Sequence, residues 1–449
     1  MLSDLTLKFI CIFISCSIFY QSYLIKNRVG TYLFPPAIFS LAWFAFSIFP
    51  LLLLISVPVN PAGIVYILIC TLFFSLSATP FNWKNAYELN ALKGGDILGK
   101  LNSNFLRYCL FISIILSVVC ALLSASENGF DIREMLFKFM KVSNEYAEKR
   151  IGGGLQYTYI GKFATMFIYS SASLGGLLFF AEKKEFYKNL FLLMALLPAV
   201  FVMLTQSSKV VLYIAIAYFF ASNMLMMVLK NDLNIFNKRF FIRLLSYALI
   251  FSIPIVISTI SRVNNLLIGV DASKLLFHSF NSYVLGSFFS FSDFFASYLG
   301  FPSLLSYVHQ DHFWGRYTVK PLFDALGYGA DFPVGIYIEQ YRVVDVMNTN
   351  IFTIFRGLIY DFGVFGSLLA IFISGLIING VFYRLLCDKD NIFASVFFIT
   401  SIVFIFFSNL MSLFMARYTL PVFLFVYIAL KLNVIYCNKF RTPSLQVDQ

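Results

Sequence analysis

A long polar stretch in the second half of the chain holds many of the side chains that could do chemistry. It runs from Arg262 to Phe355 and contains all three histidines of the protein, His278, His309 and His312. Histidine transfers protons near neutral pH, and arginine binds phosphate through its planar fork. We therefore expect the polar chemistry of this protein to lie in this stretch and at the helix ends around it.

The densest polar cluster reads His-Gln-Asp-His-Phe-Trp-Gly-Arg, from His309 to Arg316. His309 and His312 are three residues apart, so they share one face if the segment is helical. Two histidines and Asp311 are too few ligands to specify a metal, and no metal site is predicted. Two interpretations stay open: a general base or sugar contact beside Trp314, whose ring would stack on a sugar, and an ordinary polar loop.

Composition places these residues in a membrane protein. The chain is 60% hydrophobic and 12% charged, whereas soluble domains carry about 25% charged residues. Its mean hydropathy is +0.82, and apolar runs of about 20 residues recur along its length. The net charge of +11 lies mostly in short links between the apolar runs, where membrane topology accounts for it. Nucleic-acid binding is therefore not predicted.

The apolar runs predict about eleven transmembrane helices, within a range of ten to twelve, in an all-α polytopic membrane protein. We treat residues 1–449 as a single integral membrane domain. The third and sixth spans are predicted to be short. The predicted spans are Leu5–Ile25, Leu33–Val57, Gly63–Ala78, Phe105–Ser124, Tyr157–Ala181, Leu190–Leu204, Val210–Leu229, Leu244–Ser261, Phe362–Phe382, Phe393–Asn409 and Thr419–Tyr436.

The distribution of lysine and arginine predicts the orientation. Alternate links are rich in these residues and are assigned to the cytoplasm, which places the N-terminus outside and the C-terminus inside. Two larger loops, Ala125–Gln156 and Arg262–Phe355, then face outward. Short helices are predicted in both, with Ser279–Leu299 lying along or partly within the bilayer surface. In Asp131–Lys149, alternating charges favour a solvated helix face.

Cationic residues recur where spans meet the predicted outer surface. Lys209 lies in the turn Thr-Gln-Ser-Ser-Lys. Arg262 directly follows the eighth predicted span, and Arg356 lies shortly before the ninth. Arg417 lies in the turn before the last span. Together they are predicted to form a pocket for phosphate or pyrophosphate at the lipid interface. Alternatively, they are interfacial anchors or pair with Asp361 and Asp293.

The segment from Asn348 to Gly366 resembles the end of the large periplasmic loop in Wzy-type O-antigen polymerases. That family shows Asn-x-Tyr-Thr, followed by Asp-Phe-Gly-x-x-Gly at the start of the next span. This chain has Phe352 in place of the tyrosine, then Asp-Phe-Gly-Val-Phe-Gly from Asp361. The turn containing Lys209 is similar to the family's Gly-Ser-Arg/Lys turn, without the glycine. The stretch from Tyr283 to Leu299 resembles the early portion of the same loop, so the motifs cover about 40 residues, and the architecture covers most of the chain.

The resemblance implies a fold related to lipid-carrier-dependent glycosyltransferases of the GT-C type, which include O-antigen ligases. It implies an enzyme that joins undecaprenyl-pyrophosphate-linked oligosaccharide repeat units at the periplasmic face of the bacterial inner membrane. A chain-length regulator is the expected protein partner. The donor supplies the energy, so no cofactor is expected, and no nucleotide-binding glycine-rich loop occurs in the sequence. Alternatives are an O-antigen ligase, a flippase or other transporter, and a purely structural membrane protein.

Site residues follow from this resemblance together with residue chemistry. Candidate general bases are Asp361, Glu339 and His312, with Arg262 and Arg356 assisting catalysis. Cations at the interface would stabilise the departing pyrophosphate, and these are Lys209, Arg262, Arg356 and Arg417. Sugar-binding candidates are His309, Trp314, Arg316 and Arg150. Arg150 and Arg316 each precede a glycine by eleven positions, a spacing that arises readily by chance.

Overall fold

The computed structural model describes residues 4–92, 102–151, 153–156, 158–234, 238–261, 272–307, 313–328, 337 and 339–440. The first helices are α1 (Asp4–Val29), α2 (Pro35–Leu53), α3 (Pro61–Leu76), α4 (Trp83–Leu92), α5 (Ser103–Glu127), α6 (Ile132–Phe137), α7 (Phe139–Ile151), α8 (Tyr159–Ala181), α9 (Glu185–Gln206), α10 (Lys209–Leu229) and α11 (Lys238–Ser261). Then come α12 (Ala272–Phe280), a π-helical turn (Asn281–Leu285), α13 (Gly286–Tyr298), α14 (Lys320–Ala325), β1 (Tyr341–Val343), β2 (Met347–Thr349), α15 (Ile354–Cys387), α16 (Ile392–Phe407), a 3₁₀ turn (Leu413–Met415) and α17 (Thr419–Phe440). The two strands pair antiparallel as a hairpin.

The chain is an all-α polytopic membrane protein. Among the described residues, eight helices are long and apolar enough to cross a membrane, and three apolar helices are shorter. A helix coincides with each of the eleven predicted spans. The third is short as predicted, at 16 residues. The prediction for the sixth is wrong: α9 has 22 residues, because the helix begins in the charged segment that the apolar run leaves out.

The chain divides into two compact units, and the prediction of a single domain stays a prediction. The first unit comprises Met1–Lys84, Ser273–Tyr383 and Phe404–Arg417. In it, α1, α2 and α3 pack against one another, and α13 packs on α2 and α3. Polar side chains join these helices, as where Ser15 Oγ lies 2.7 Å from Ser47 Oγ. A Cβ on Gly63 would come within 2.6 Å of Ser292 Cα, so α3 and α13 approach to backbone distance.

The second unit comprises Asn85–Ala272, Arg384–Val403 and Tyr418–Gln449. Its centre is α8, which packs against α5, α9, α10 and α17. Small residues allow this close packing, as where Ser173 Oγ lies 2.8 Å from Ser222 Oγ. In the predicted outer loop 125–156, α6 and α7 form as predicted, and Glu134 pairs with Lys138 and Lys141 on their exposed side.

Helix α13 differs from its predicted position. The sequence favoured a helix lying along the bilayer surface, but Gly286–Ala296 is buried on every side within the first unit. The serine and aspartate residues that interrupt its apolar pattern have partners inside the protein. Ser287 Oγ donates to Asn409 Oδ1 at 2.9 Å, and Ser290 Oγ donates to the carbonyl of Ile351 at 2.6 Å. The interruptions therefore mark internal hydrogen bonding. The prediction of a helix lying along the surface is wrong, while its partial insertion into the bilayer stays a prediction.

Candidate functional site

Arg356 is the centre of the candidate site in the first unit. It lies in the first turn of α15 and has no exposed surface. Its guanidinium carbon lies 3.9 Å from the ring centroid of Tyr337 and 4.0 Å from that of Phe352. Three further rings lie within 5.3 Å, those of Phe294, Tyr360 and Tyr307. We call these five rings the aromatic cage. Ring faces stabilise a cation where water is excluded.

The polar contacts of Arg356 all fall on one nitrogen. Nη2 lies 2.9 Å from Oε1 of Glu339 and donates to the Tyr360 hydroxyl at 2.8 Å. Nε and Nη1 are buried and have no hydrogen-bond partner within the described part of the chain. A guanidinium has five N–H donors, two of them on each Nη. Three donors of a fully buried cation are therefore left without an acceptor among the described residues.

Asp293 on α13 shapes one wall of the cage. Its carboxylate accepts hydrogen bonds from the backbone N–H of Leu304 at 2.7 Å and of Leu305 at 3.3 Å. It also accepts from the Tyr307 hydroxyl at 2.9 Å, which fixes one of the cage rings. Burial raises the pKa of Asp293, while these three donors act in the opposite direction. The aspartate thus holds the segment after α13 against the site.

Asp361 holds a second segment in the same way. Its Oδ1 accepts from the Tyr317 N–H at 2.9 Å, and its Oδ2 accepts from the Thr318 hydroxyl at 2.6 Å. Helix α15 is broken at Gly363, where φ is 69° and ψ is −179°. Backbone carbonyls just before the break can therefore accept hydrogen bonds from the segment that holds Tyr317 and Thr318. The Asp361 carbonyl accepts from the Trp314 N–H at 3.1 Å. The side chain is fully buried, and the prediction that Asp361 acts as a general base stays a prediction.

The stacked pair Tyr317 and Tyr337 connects the Asp361 segment to the cage. Their ring centroids are 5.7 Å apart, and their planes differ by 8°. Gly357, the residue after Arg356, leaves room for the pair, since a Cβ there would lie 3.3 Å from Tyr317 Cβ. Burial raises the pKa of Tyr317 to about 12, so its hydroxyl stays protonated at neutral pH.

The β-hairpin is fixed to the π-helical turn beside the cage. Asn281 Nδ2 donates to the Val346 carbonyl at 3.0 Å, and the Asn348 N–H donates to Ser282 Oγ at 2.9 Å. A Cβ on Gly286 would lie 2.7 Å from a methyl group of Thr349. The strands therefore position the chain on both sides of the cage, because Phe352 follows β2 and Glu339 precedes β1. Glu339 keeps 20% of its side-chain surface exposed.

Arg417, a predicted pyrophosphate ligand, pairs with a carboxylate in this structure. Its Nε donates to Oδ2 of Asp324 at 2.9 Å, and Lys320 Nζ lies 3.2 Å from Oδ1 of the same residue. Desolvation acts to raise the pKa of Asp324, but the hydrogen bonds from Arg417 and Lys320 outweigh it and lower the pKa. Arg417 thus pairs with an aspartate, but the partner is Asp324 and neither of the two named in the alternative interpretation, Asp361 and Asp293.

The Lys209 turn belongs to the second unit, where Arg150 binds it. Arg150 Nη2 donates to the Gln206 carbonyl at 2.8 Å, and Nη1 donates to the Ser207 carbonyl at 3.3 Å. These groups end α9, where a cation is favoured by the helix dipole. Ser207 adopts φ 53°, so the turn is tight. The prediction that Lys209 and Arg150 act with Arg356 on one substrate stays a prediction.

The other predicted site residues divide into two groups. Trp314 is 75% exposed, and the Arg316 guanidinium lies 5.8 Å from the ring centroid of Phe323. The predicted sugar contacts of both residues stay predictions. Arg262, His309 and His312 lie outside the described residues.

Sequence reasoning selected Arg356 and Glu339 but did not pair them. It also did not identify the cage, whose rings come from four segments of the chain. Asp293 was named in advance only as an alternative partner of the interfacial cations. Its position within an otherwise apolar, phenylalanine-rich helix was the available signal, because a buried carboxylate needs several donors.

Comparison with known proteins gives no assignment: no protein-family model, no curated protein and no solved structure matches this chain.

Proposed function

We propose that this protein is an O-antigen polymerase of GT-C-like architecture that joins lipid-pyrophosphate-linked oligosaccharide repeat units. One observation carries the proposal: Arg356 is a fully buried cation with three available donors, beside the partly exposed carboxylate of Glu339. An anion receptor next to a carboxylate is what glycosyl transfer from a pyrophosphate donor requires. The donor's lipid tail explains why the site belongs to a membrane protein.

In the proposed reaction, a hydroxyl oxygen of the acceptor sugar attacks the anomeric carbon of the donor sugar. The bond from that carbon to the pyrophosphate oxygen breaks, and the lipid pyrophosphate leaves with the electron pair. Glu339 accepts the proton of the attacking hydroxyl, and Arg356 binds the leaving group through Nε and Nη1. Asp293 and Asp361 act as positioning residues, because they hold the segments that carry Tyr307 and Tyr317.

The proposal includes the cellular setting implied by the resemblance. The reaction occurs at the periplasmic face of the bacterial inner membrane, with the N-terminus outside and the C-terminus in the cytoplasm. The substrates are undecaprenyl-pyrophosphate-linked oligosaccharides, and a chain-length regulator acts as partner. The lysine- and arginine-rich links support this orientation.

A polysaccharide gel of surface lipopolysaccharide from a strain lacking this gene tests the proposal. We expect lipid A–core capped with a single repeat unit and no ladder, because units are still exported and ligated. Bare core would instead indicate an O-antigen ligase or a flippase. Accumulation of lipid-linked polymer outside the membrane would then identify the ligase. An unchanged ladder would contradict all three functions.

A further inference from the structure

We propose that Glu339 occupies the anion site of Arg356 at rest, and that the incoming pyrophosphate displaces it. The exchange would release the Glu339 carboxylate from its ion pair at the moment the donor is bound. This inference rests on the proposed function, because it describes how the same site is regulated. Glu339 then becomes free to act as a base only when the donor is bound.

The hydrogen-bond geometry of Arg356 is the first observation that supports the exchange. Glu339 contacts one guanidinium nitrogen, Nη2, which also donates to Tyr360. Arginine binds anions most strongly through two parallel bonds, and this pairing uses only one. A buried donor left without a partner is unfavourable. A pyrophosphate with several oxygens would take Nη2 from Glu339 and would also use Nε and Nη1, which the carboxylate leaves unsatisfied.

The second observation is that Arg356 and Glu339 differ in how much of their surface is exposed. Arg356 has no exposed surface and is surrounded by the aromatic cage. Glu339 retains 20% of its side-chain surface, so it forms the side of the site nearest to solvent. Aspartate-bound segments fix Tyr307 and Tyr317 around the arginine. An anion therefore reaches the guanidinium most readily by replacing Glu339, while the arginine stays in place.

Charge is the third observation. Glu339 is the one carboxylate within the described residues that forms an ion pair with Arg356. Asp293 and Asp361 also lie in the first unit, but their oxygens accept from backbone N–H groups and from hydroxyls. Pyrophosphate carries more negative charge than a carboxylate, so it competes for the same cation. The released carboxylate no longer shares its charge with Arg356 and can take the acceptor's proton.

The test is the binding of inorganic pyrophosphate to the purified full-length protein in lipid nanodiscs, measured by calorimetry. In Glu339→Gln the competing charge is absent while the size of the side chain is kept. We expect pyrophosphate to bind about tenfold more tightly than to the wild type, because the site no longer has to be vacated. Asp345→Asn is the matched control, since it removes one exposed carboxylate from the adjacent hairpin. It should bind as the wild type does.

Two further variants make the test decisive. Arg356→Met should abolish pyrophosphate binding, and Glu339→Ala should reproduce the gain if Glu339→Gln fails to fold. Equal or weaker binding by the folded Glu339 variants would overturn the exchange, as would no measurable binding by any protein. Tighter binding together with an unchanged lipopolysaccharide ladder in the strain lacking the gene would uphold the exchange and reject the proposed polymerase.

Discussion

Asp361→Asn distinguishes a positioning aspartate from a catalytic base. In the structure the Asp361 carboxylate accepts hydrogen bonds that include those from the Tyr317 N–H to Oδ1 and from the Thr318 hydroxyl to Oδ2. Hydrogen bonds to charged groups contribute about 1.5–3 kcal/mol each. Asparagine keeps one carbonyl oxygen, which can still face Tyr317, but its amide nitrogen must face Thr318. We expect the segment to lose about one such bond, or about 1.5–3 kcal/mol.

Hydrogen exchange of the Tyr317 amide measures this loss locally. The expected loss corresponds to exchange that is about 10- to 150-fold faster, since each 1.4 kcal/mol is a factor of ten. Thr318→Val should also accelerate exchange, because it leaves Oδ2 without its donor. The double variant should be less affected than the sum of the two, since both remove the same bond.

A different result would refute this reasoning. If Asp361→Asn exchanged and unfolded like the wild type but made no polymer, Asp361 would act on the substrate directly. The matched control is Asp345→Asn, which neutralises an exposed aspartate of the hairpin. It should change neither exchange at Tyr317 nor polymer formation.

Two further predictions concern stability. Arg417→Ala should lower the free energy of unfolding by less than about 1 kcal/mol, because the pair with Asp324 is partly exposed and Lys320 remains in place. Denaturant titration in detergent measures this difference. Gly63→Ala should lower it by about 1–3 kcal/mol or more, because its Cβ would come 2.6 Å from the backbone of Ser292. The same titration, compared with the wild type, measures that loss.

Each stability prediction has its own control and contrary result. Gly154→Ala is the control for Gly63→Ala, since the nearest atom to its Cβ would be the Lys149 carbonyl oxygen at an ordinary 3.7 Å. If Gly63→Ala were as stable as Gly154→Ala, α3 and α13 would be able to move apart without lowering the free energy of unfolding. A loss of several kcal/mol in Arg417→Ala would mean that the ion pair supports far more of the fold than its exposure indicates.

The spans were predictable from sequence because hydropathy is a local property. An apolar run of membrane length, such as Ser103–Glu127, can be recognised from its own residues alone. The position of α13 was not predictable in this way. Its serines and Asp293 look like surface residues in the sequence, and only their distant partners, such as Asn409 and Ile351, show that they are buried.

The candidate site was predictable in part. The sequence selected Arg356 and Glu339 because a cation beside a span and a carboxylate in a polar loop are chemically conspicuous. Their pairing is a tertiary contact across a hairpin, and no local pattern encodes it. The cage rings of Phe294 and Phe352 could not be distinguished in advance among the 56 phenylalanines of the chain. Burial of the arginine is likewise a result of packing.

Arg356 is proposed to bind the pyrophosphate of a lipid-linked donor during polymerisation. The most direct measurement uses purified protein in liposomes with undecaprenyl-pyrophosphate-linked repeat units, and follows product length. Arg356→Lys keeps the charge but loses the planar fork, and Arg342→Lys makes the same change at an exposed position of β1. We predict polymer from the wild type and from Arg342→Lys, and single repeat units from folded Arg356→Lys. Polymer formation by Arg356→Lys at the wild-type rate, or none by the wild type, would contradict the claim.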